Sequence, residues 1–194
     1  IADLQIDGSA AVAGSQNGIA FVAVSTSVIE NVYVHDMRDD GVVFASSNNN
    51  TLTNNIASNN TAYGFNFLSG SNNTLTSNTA NSNSDTGFYV GSGSNFFTAN
   101  TANGNTWYGF NFAASDNNTI TANNANSNIY GFFFNSSANN TFISNTAGSN
   151  TAYGIHIANS DSNTLSGNNS SGNLDNGIRV ENSTKNSITG NVFT

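Results

Sequence analysis

The sequence has no cysteine and no proline, and only three of its 194 residues carry a positive charge. Without cysteine there are no disulfides, no thiolate metal sites and no cysteine nucleophile, and the redox compartment is left open. Without proline every residue keeps its backbone N–H, so nothing interrupts a hydrogen-bonded ladder. Arg38, Arg179 and Lys185 stand against a formal net charge of −8. That leaves no basic groove for phosphates and argues against nucleic acid as a partner. No apolar run approaches the roughly 20 residues that span a bilayer, so membrane insertion is not expected. The chain begins at Ile1 with no signal peptide, as a mature chain or an excerpt would. Charged residues make up 7%, against about a quarter in ordinary soluble domains. Asparagine, serine, threonine and glycine supply the polarity instead, a composition otherwise typical of disorder.

What is present overrules that composition. A glycine followed by a triplet apolar at its first and third residues recurs at Gly18, Gly41, Gly64, Gly87, Gly109, Gly131, Gly154 and Gly177, in steps of 22 or 23 residues. A fixed period in that range is the signature of a solenoid. The stretch from Asn118 to Gly131 shows the unit in full, and the 14 phenylalanines fall in register with it. No composition break divides the chain, so a single domain over residues 1–194 is expected. Within it residues 1–40 form irregular N-terminal coils and residues 41–194 regular Asn/Thr-rich ones.

Each regular coil reads as three short strands. In the glycine triplet the flanking residues point one way and the middle one the other. Val42/Phe44, Phe65/Phe67, Phe110/Phe112 and Phe132/Phe134 therefore face inward, and Asn66, Asn111, His156 and Arg179 outward. The second strand is Thr-x-Thr-like, as at Thr51-Leu52-Thr53, with one apolar residue inward. The third follows an asparagine and turns a small alanine inward, as at Asn78-Thr79-Ala80. Strands this short, joined by corners of one to four residues, cannot alternate direction as hairpins do. Stacked in register they pair in parallel with the next coil. The result is an all-β, single-stranded parallel β-helix of about eight coils with three short strands each. The asparagines at 55, 78, 100, 123, 145, 168 and 191 share one corner, and those at 60, 83, 105, 128, 150 and 173 another. Asparagine is expected there both as a tolerant left-handed corner residue and as a side-chain ladder from coil to coil.

The phrases NNTLTSNTANSN (72–83), NNTITANNANSN (117–128) and NNTFISNTAGSNTAYGI (139–155) resemble the parallel β-helix repeats of NosD-like proteins, in the carbohydrate-binding and sugar-hydrolase group. They are especially similar to Asn/Thr-rich surface proteins of methanogenic archaea. The resemblance covers about residues 41–194, and more loosely the rest. It implies a right-handed helix, the hand that physics favours for parallel crossovers. It also implies a choice among glycan lyases, epimerases, hydrolases and non-catalytic surface proteins.

The densest charge lies in His35-Asp36-Met37-Arg38-Asp39-Asp40, beside Tyr33. Glycan cleavage or epimerisation needs a base, a proton donor and a cation for the uronate carboxylate. His35, Asp36, Arg38, Asp39 and Asp40 are the right types, although Asp-Asp-Gly is equally a corner. Calcium at Asp36, Asp39 and Asp40 is the one cofactor alternative to none, since oxygen ligands suffice for it. His35 and His156 lie far apart in sequence and Met37 is the only thioether, too few soft ligands for a copper site. An aromatic stripe, Tyr63, Tyr108, Tyr130 and Tyr153 before the repeat glycine with Trp107, Tyr89 and Phe133 beside them, suits either glycan stacking or a ladder sealing the corner. The Thr-x-Thr rows suggest an ice-binding array that Phe96, Ile143 and Ser166 interrupt. Asn-x-Ser/Thr sequons begin at Asn49, Asn59, Asn72, Asn117, Asn135, Asn139, Asn168, Asn169 and Asn182, candidate glycan acceptors in an exported protein.

The functional expectation is a non-catalytic extracellular or cell-surface β-helix, structural, adhesive or filament-forming, contacting polysaccharide or cell-surface glycan along the stripe. The alternative is a polysaccharide lyase or uronate epimerase acting through residues 33–40. Uncapped strand edges at Asn191-Val192-Phe193-Thr194 and in the first coil point to end-to-end self-association or to cover by flanking sequence.

Overall fold

The alternation in each glycine triplet and the 22- or 23-residue period together build a right-handed parallel β-solenoid, seen in a computed structural model that describes residues 1–10, 14 and 16–194. Two of its faces are eight-stranded sheets. The first stacks the glycine-triplet strands, from Ile19–Val22 to Ile178–Glu181. The second stacks the Thr-x-Thr strands, from Val28–Glu30 to Ser187–Thr189. Register is exact to the residue: Phe88 lies between Phe65 and Phe110, and Leu75 between Leu52 and Phe97. The third face is thinner. Strands Gln5–Asp7, Tyr33–His35 and Ile56–Ser58 pair there, and Asn169–Ser170 pairs with Val192–Phe193. Between them Ile56, Thr79, Thr101, Asn124, Thr146 and Asn169 meet only as single bridges. Asparagine corners crowd both ends of this face and leave one residue per coil in ladder geometry.

The interior is columns of like on like. Phe65, Phe88, Phe110 and Phe132 stack at 4.6–4.9 Å with planes within 12° of parallel. That separation matches the strand spacing, so the rings face one another along the axis. Phe97 and Phe142 of the second sheet meet these columns edge-on. On the third side the core is closed by Ala57, Ala80, Ala102, Ala125 and Ala147, each 0–1% exposed. Those alanines explain the repeat glycine. A Cβ at Gly109 would stand 2.7 Å from both the Ala125 Cβ and the Gly131 carbonyl oxygen. Close approach, not a special backbone angle, excludes a side chain there.

The asparagine corners divide into two roles that sequence reading merged. The ladder asparagines are inward and buried, and the left-handed residue is the one just before each of them. Asn54, Ser77, Ala99, Ala122 and Ser144 have φ of 56–57°, each preceding a ladder asparagine. A short inward amide reaches the backbone of two coils only from an extended residue, so the left-handed turn falls on its exposed neighbour. A third ladder also exists, through residues 50, 73, 95, 118, 140, 163 and 186. Its asparagines precede each strand of the second sheet after the first, a recurrence visible in the sequence.

Alanine is a poor left-handed residue, by about 1–2 kcal/mol. Replacing exposed Ala122 with glycine should therefore raise stability by about 0.5–1 kcal/mol, after the flexibility added to the unfolded chain is subtracted. Urea denaturation measures this, and a loss of stability would show that Ala122 is not left-handed.

Candidate functional site

The outer face of the first sheet carries the middle residues of the triplets, and its outward side chains are more covered than alternation predicts. Asn66 is 5% exposed and His156 8%, although both point away from the core. Asn66 is bonded to Asp40 at 2.7 Å, and His156 is covered by aromatic rings. Tyr63 stacks on Tyr89 of the next coil at 5.2 Å. Tyr108 stacks on Tyr130 and Phe133 at 5.1 and 5.3 Å. Phe133 and Tyr153 then flank His156 at 4.8 and 5.1 Å. The predicted stripe is thus brought together as two groups, Tyr63–Tyr89 and Tyr108 to His156. Within the stacked pairs ring faces meet ring faces, so edges and phenol groups reach solvent. Trp107 differs: it is 47% exposed and makes no ring contact among the described residues.

The stripe ends in a polar group built from residues of two neighbouring coils. Arg179 donates to both sides of the cluster, to Glu181 at 2.7 and 3.0 Å and to the Tyr153 hydroxyl. Its guanidinium carbon sits 5.1 Å from the Tyr153 ring centre. Glu181 also bonds the His156 Nε2 at 3.0 Å. Burial pushes the His156 pKa down against the pull of Glu181, which favours a neutral imidazole donating from Nε2. Hydrogen bonds from Arg179 and then His156 hold the Glu181 carboxyl below its ordinary value. Arg179 is therefore already neutralised by a carboxylate of its own coil. Glu181 follows Arg179 by two residues, an i, i+2 pair on one strand face that the sequence does display.

Residues 33–40 do not form one site. His35 ends a third-face strand, with its ring stacked on Tyr33 at 4.3 Å. Its Nε2 lies 2.8 Å from the Gln5 amide nitrogen, which can only donate. The ring proton is then on Nδ1 and is donated to Asp36 at 2.6 Å. The Asp7 carboxylate approaches the same nitrogen at 3.9 Å, and its pKa is lowered chiefly by the Ser9 backbone N–H. Gln5 and Asp7 come from the preceding coil, 28 residues back in register, a pairing invisible until the coils are stacked. Met37 turns into the core, Arg38 is exposed and Asp39 half-buried.

Asp40 belongs to the other face. It is 6% exposed and accepts from the Tyr63 backbone N–H at 3.0 Å and the Asn66 amide at 2.7 Å. The three groups that converge are Asp7, His35 and Asp36, with ligand atoms within 4.8 Å of one another, not Asp36 with Asp39 and Asp40. Burial raises the Asp40 pKa more than these two hydrogen bonds lower it. A carboxyl whose folded pKa is raised stabilises the fold at low pH and loses that contribution as pH rises through the folded value. Asp40→Asn should therefore stabilise the protein at neutral pH by about 1 kcal/mol, since a turned Asn66 could then offer its unpartnered oxygen to the new amide. The gain should shrink as pH falls from the raised folded value of Asp40 to the ordinary aspartate value and change no further below it, which thermal denaturation of both proteins at several pH values tests.

Of the nine sequons, eight begin at exposed asparagines. Asn168 is the exception, 1% exposed and donating to Phe142 and Asn191 within a ladder. The Thr-x-Thr hydroxyls lie half-exposed on the second sheet.

A family model described as a right-handed β-helix region matches residues 2–126. Another, described as periplasmic copper-binding protein (NosD), matches residues 92–194. No curated protein matches the chain. Among solved structures, the A-module of mannuronan C-5 epimerase AlgE4 from Azotobacter vinelandii is similar at a TM-score of 0.81 and 19% identity, over 90% of this chain and 52% of that one. A variant of the periplasmic alginate epimerase AlgG gives 0.76 and 16%, over 91% and 48%. Pectate lyase Pel9A gives 0.69 and 17%, over 89% and 61%. The chain spans about half the length of the two epimerases, and likeness at such identity is one of fold. The donors present do not fit copper. In residues 92–194 the single imidazole, His156, is bonded to Glu181 and no sulfur ligand exists. With each family model matching more than half of its length, the chain belongs to the NosD-like parallel β-helix family.

Proposed function

We propose that this chain is a non-catalytic, extracytoplasmic β-helix module, a rigid structural or adhesive rod that contacts glycan along the outer face of its first sheet. The observation that carries the reading is an open face of stacked tyrosines and phenylalanine beside a half-exposed Trp107, with no enclosed pocket among the described residues. A sugar ring packs its C–H face on a free aromatic face, and Trp107 offers one on a framework fixed by two eight-stranded sheets. A periplasmic or extracellular location is consistent with the periplasmic NosD description and the periplasmic epimerase of the same fold. Glycan-array binding of the chain and of Trp107→Ala tests the reading. The substitution should weaken binding about tenfold, the loss of one aromatic contact of about 1.4 kcal/mol. Unchanged binding would remove Trp107 from the site.

One observation favours a second reading, a polysaccharide lyase or uronate epimerase: His35 is held in one tautomer by Gln5 and Asp36, as a proton-transfer group needs to be. Formation of an ultraviolet-absorbing unsaturated uronate, abolished by His35→Ala, would replace the first reading with this one. Cover of the last coil, where Val180, Ile188 and Phe193 are 42, 38 and 37% exposed, is also proposed, by flanking sequence or by end-to-end association of these residues. Light scattering that shows a stable monomer of residues 1–194 alone at high concentration would remove it.

A further inference from the structure

We propose that the glycan taken by this face is a neutral polysaccharide and not a polyuronate, an inference that rests on the glycan-contact reading above. The fold's solved relatives include enzymes named for alginate and pectate, whose chains carry one carboxylate per sugar. Such a polymer needs cations along its path. This chain has three, Arg38, Arg179 and Lys185, in the first and eighth glycine repeats. Arg179, the one on the outer face of the first sheet, is committed to Glu181 by two hydrogen bonds and to the Tyr153 hydroxyl.

Negative charge stands where a polyanion would have to lie. Asp85 is adjacent to the middle of the stripe, hydrogen-bonded to Thr86 at 2.8 Å. Its backbone N–H donates to the Ala62 carbonyl at 3.3 Å and its carbonyl accepts from the Trp107 N–H at 2.9 Å, so it stands between the residues that precede Tyr63 and Tyr108, the starts of the two ring groups. Asp40 lies under Asn66 at the other end. Like charges at these distances repel unless salt screens them, and a net charge of −8 extends the repulsion to the approach.

The same features suit a neutral sugar. Its hydroxyls donate, and this face is rich in acceptors. The partly exposed Glu181 and Asp85 carboxylates and the phenol oxygens of the stripe supply them. Its C–H face needs an aromatic plane, which Trp107 leaves free.

Trp107 is the only tryptophan, so its fluorescence reports on this face directly. The intact chain is titrated at low ionic strength with EDTA against neutral β-glucan, mannan and galactan, and against alginate and polygalacturonate. At least one neutral polymer should shift the emission, and the polyuronates should bind at least about tenfold more weakly. Glu181→Gln, which releases Arg179, should narrow that gap. Polyuronate binding as tight as neutral binding in EDTA would overturn the inference while leaving glycan contact in place. Polyuronate binding that appears only when calcium replaces EDTA, with none to neutral polymers, would also overturn it, in favour of a metal-bridged polyanion. No response to any polymer would overturn the glycan reading itself.

Discussion

Phe110→Ala is expected to cost about 3–5 kcal/mol, the range for truncating a fully buried phenylalanine. Phe110 is 0% exposed and sandwiched between Phe88 at 4.6 Å and Phe132 at 4.8 Å. Its removal opens a void that neighbouring rings cannot fill, because each is fixed by register to its own coil. The lesion also falls mid-array, so it weakens the interfaces with the coils on both sides. In guanidinium denaturation the midpoint should fall and the slope should drop as the halves uncouple. The neighbouring Asn111→Ser should change stability by no more than about 0.5 kcal/mol, since the side-chain oxygen it deletes has no partner. Equal effects at 110 and 111 would mean that the strand phase is wrong.

The second large effect is expected for Asn123→Leu. The Asn123 side-chain oxygen accepts from the Asn100 backbone N–H at 2.8 Å and from the Asn100 amide at 3.0 Å. Its own amide donates to the Phe97 carbonyl at 2.9 Å and to the Asn145 side-chain oxygen at 3.0 Å. Leucine has a similar volume but leaves the Asn100 backbone N–H without its acceptor, and its side-chain amide short of one. Unsatisfied buried groups cost about 1–3 kcal/mol each, so a loss of about 4 kcal/mol is expected. Asn117→Leu is the control. Asn117 is exposed with φ of 61° and makes no ladder bond, so only left-handed strain of about 1 kcal/mol should appear. Matching losses at 117 and 123 would show that the ladder carries no stability.

The fold was legible because the sequence states it eight times. A single triplet such as Gly109-Phe110-Asn111-Phe112 is ambiguous, but its recurrence every 22 or 23 residues fixes strand phase, parallel pairing and the identity of the inward column. The inward alanines and the glycines packed against them follow the same rule. The corners were half legible. Asparagine was visible at each, but which of two neighbours turns left-handed and which reaches inward depends on backbone angles that residue type does not set: Ala122 takes the strained position beside Asn123.

Side-chain neighbourhoods on the surface were decided only by the tertiary structure. In sequence His35 and Asp40 sit in one charged run, yet a coil corner sends them to different faces, one to Gln5 and Asp36 and the other to Tyr63 and Asn66. Glu181 meets Arg179 within its own strand, but its bond to His156 joins adjacent coils 25 residues apart. Periodicity determines which way a residue points relative to the core, because that is a property of the strand. What it touches outside the core depends on the residues one coil above and below: Asn66 meets Asp40, and His156 meets Phe133 and Glu181.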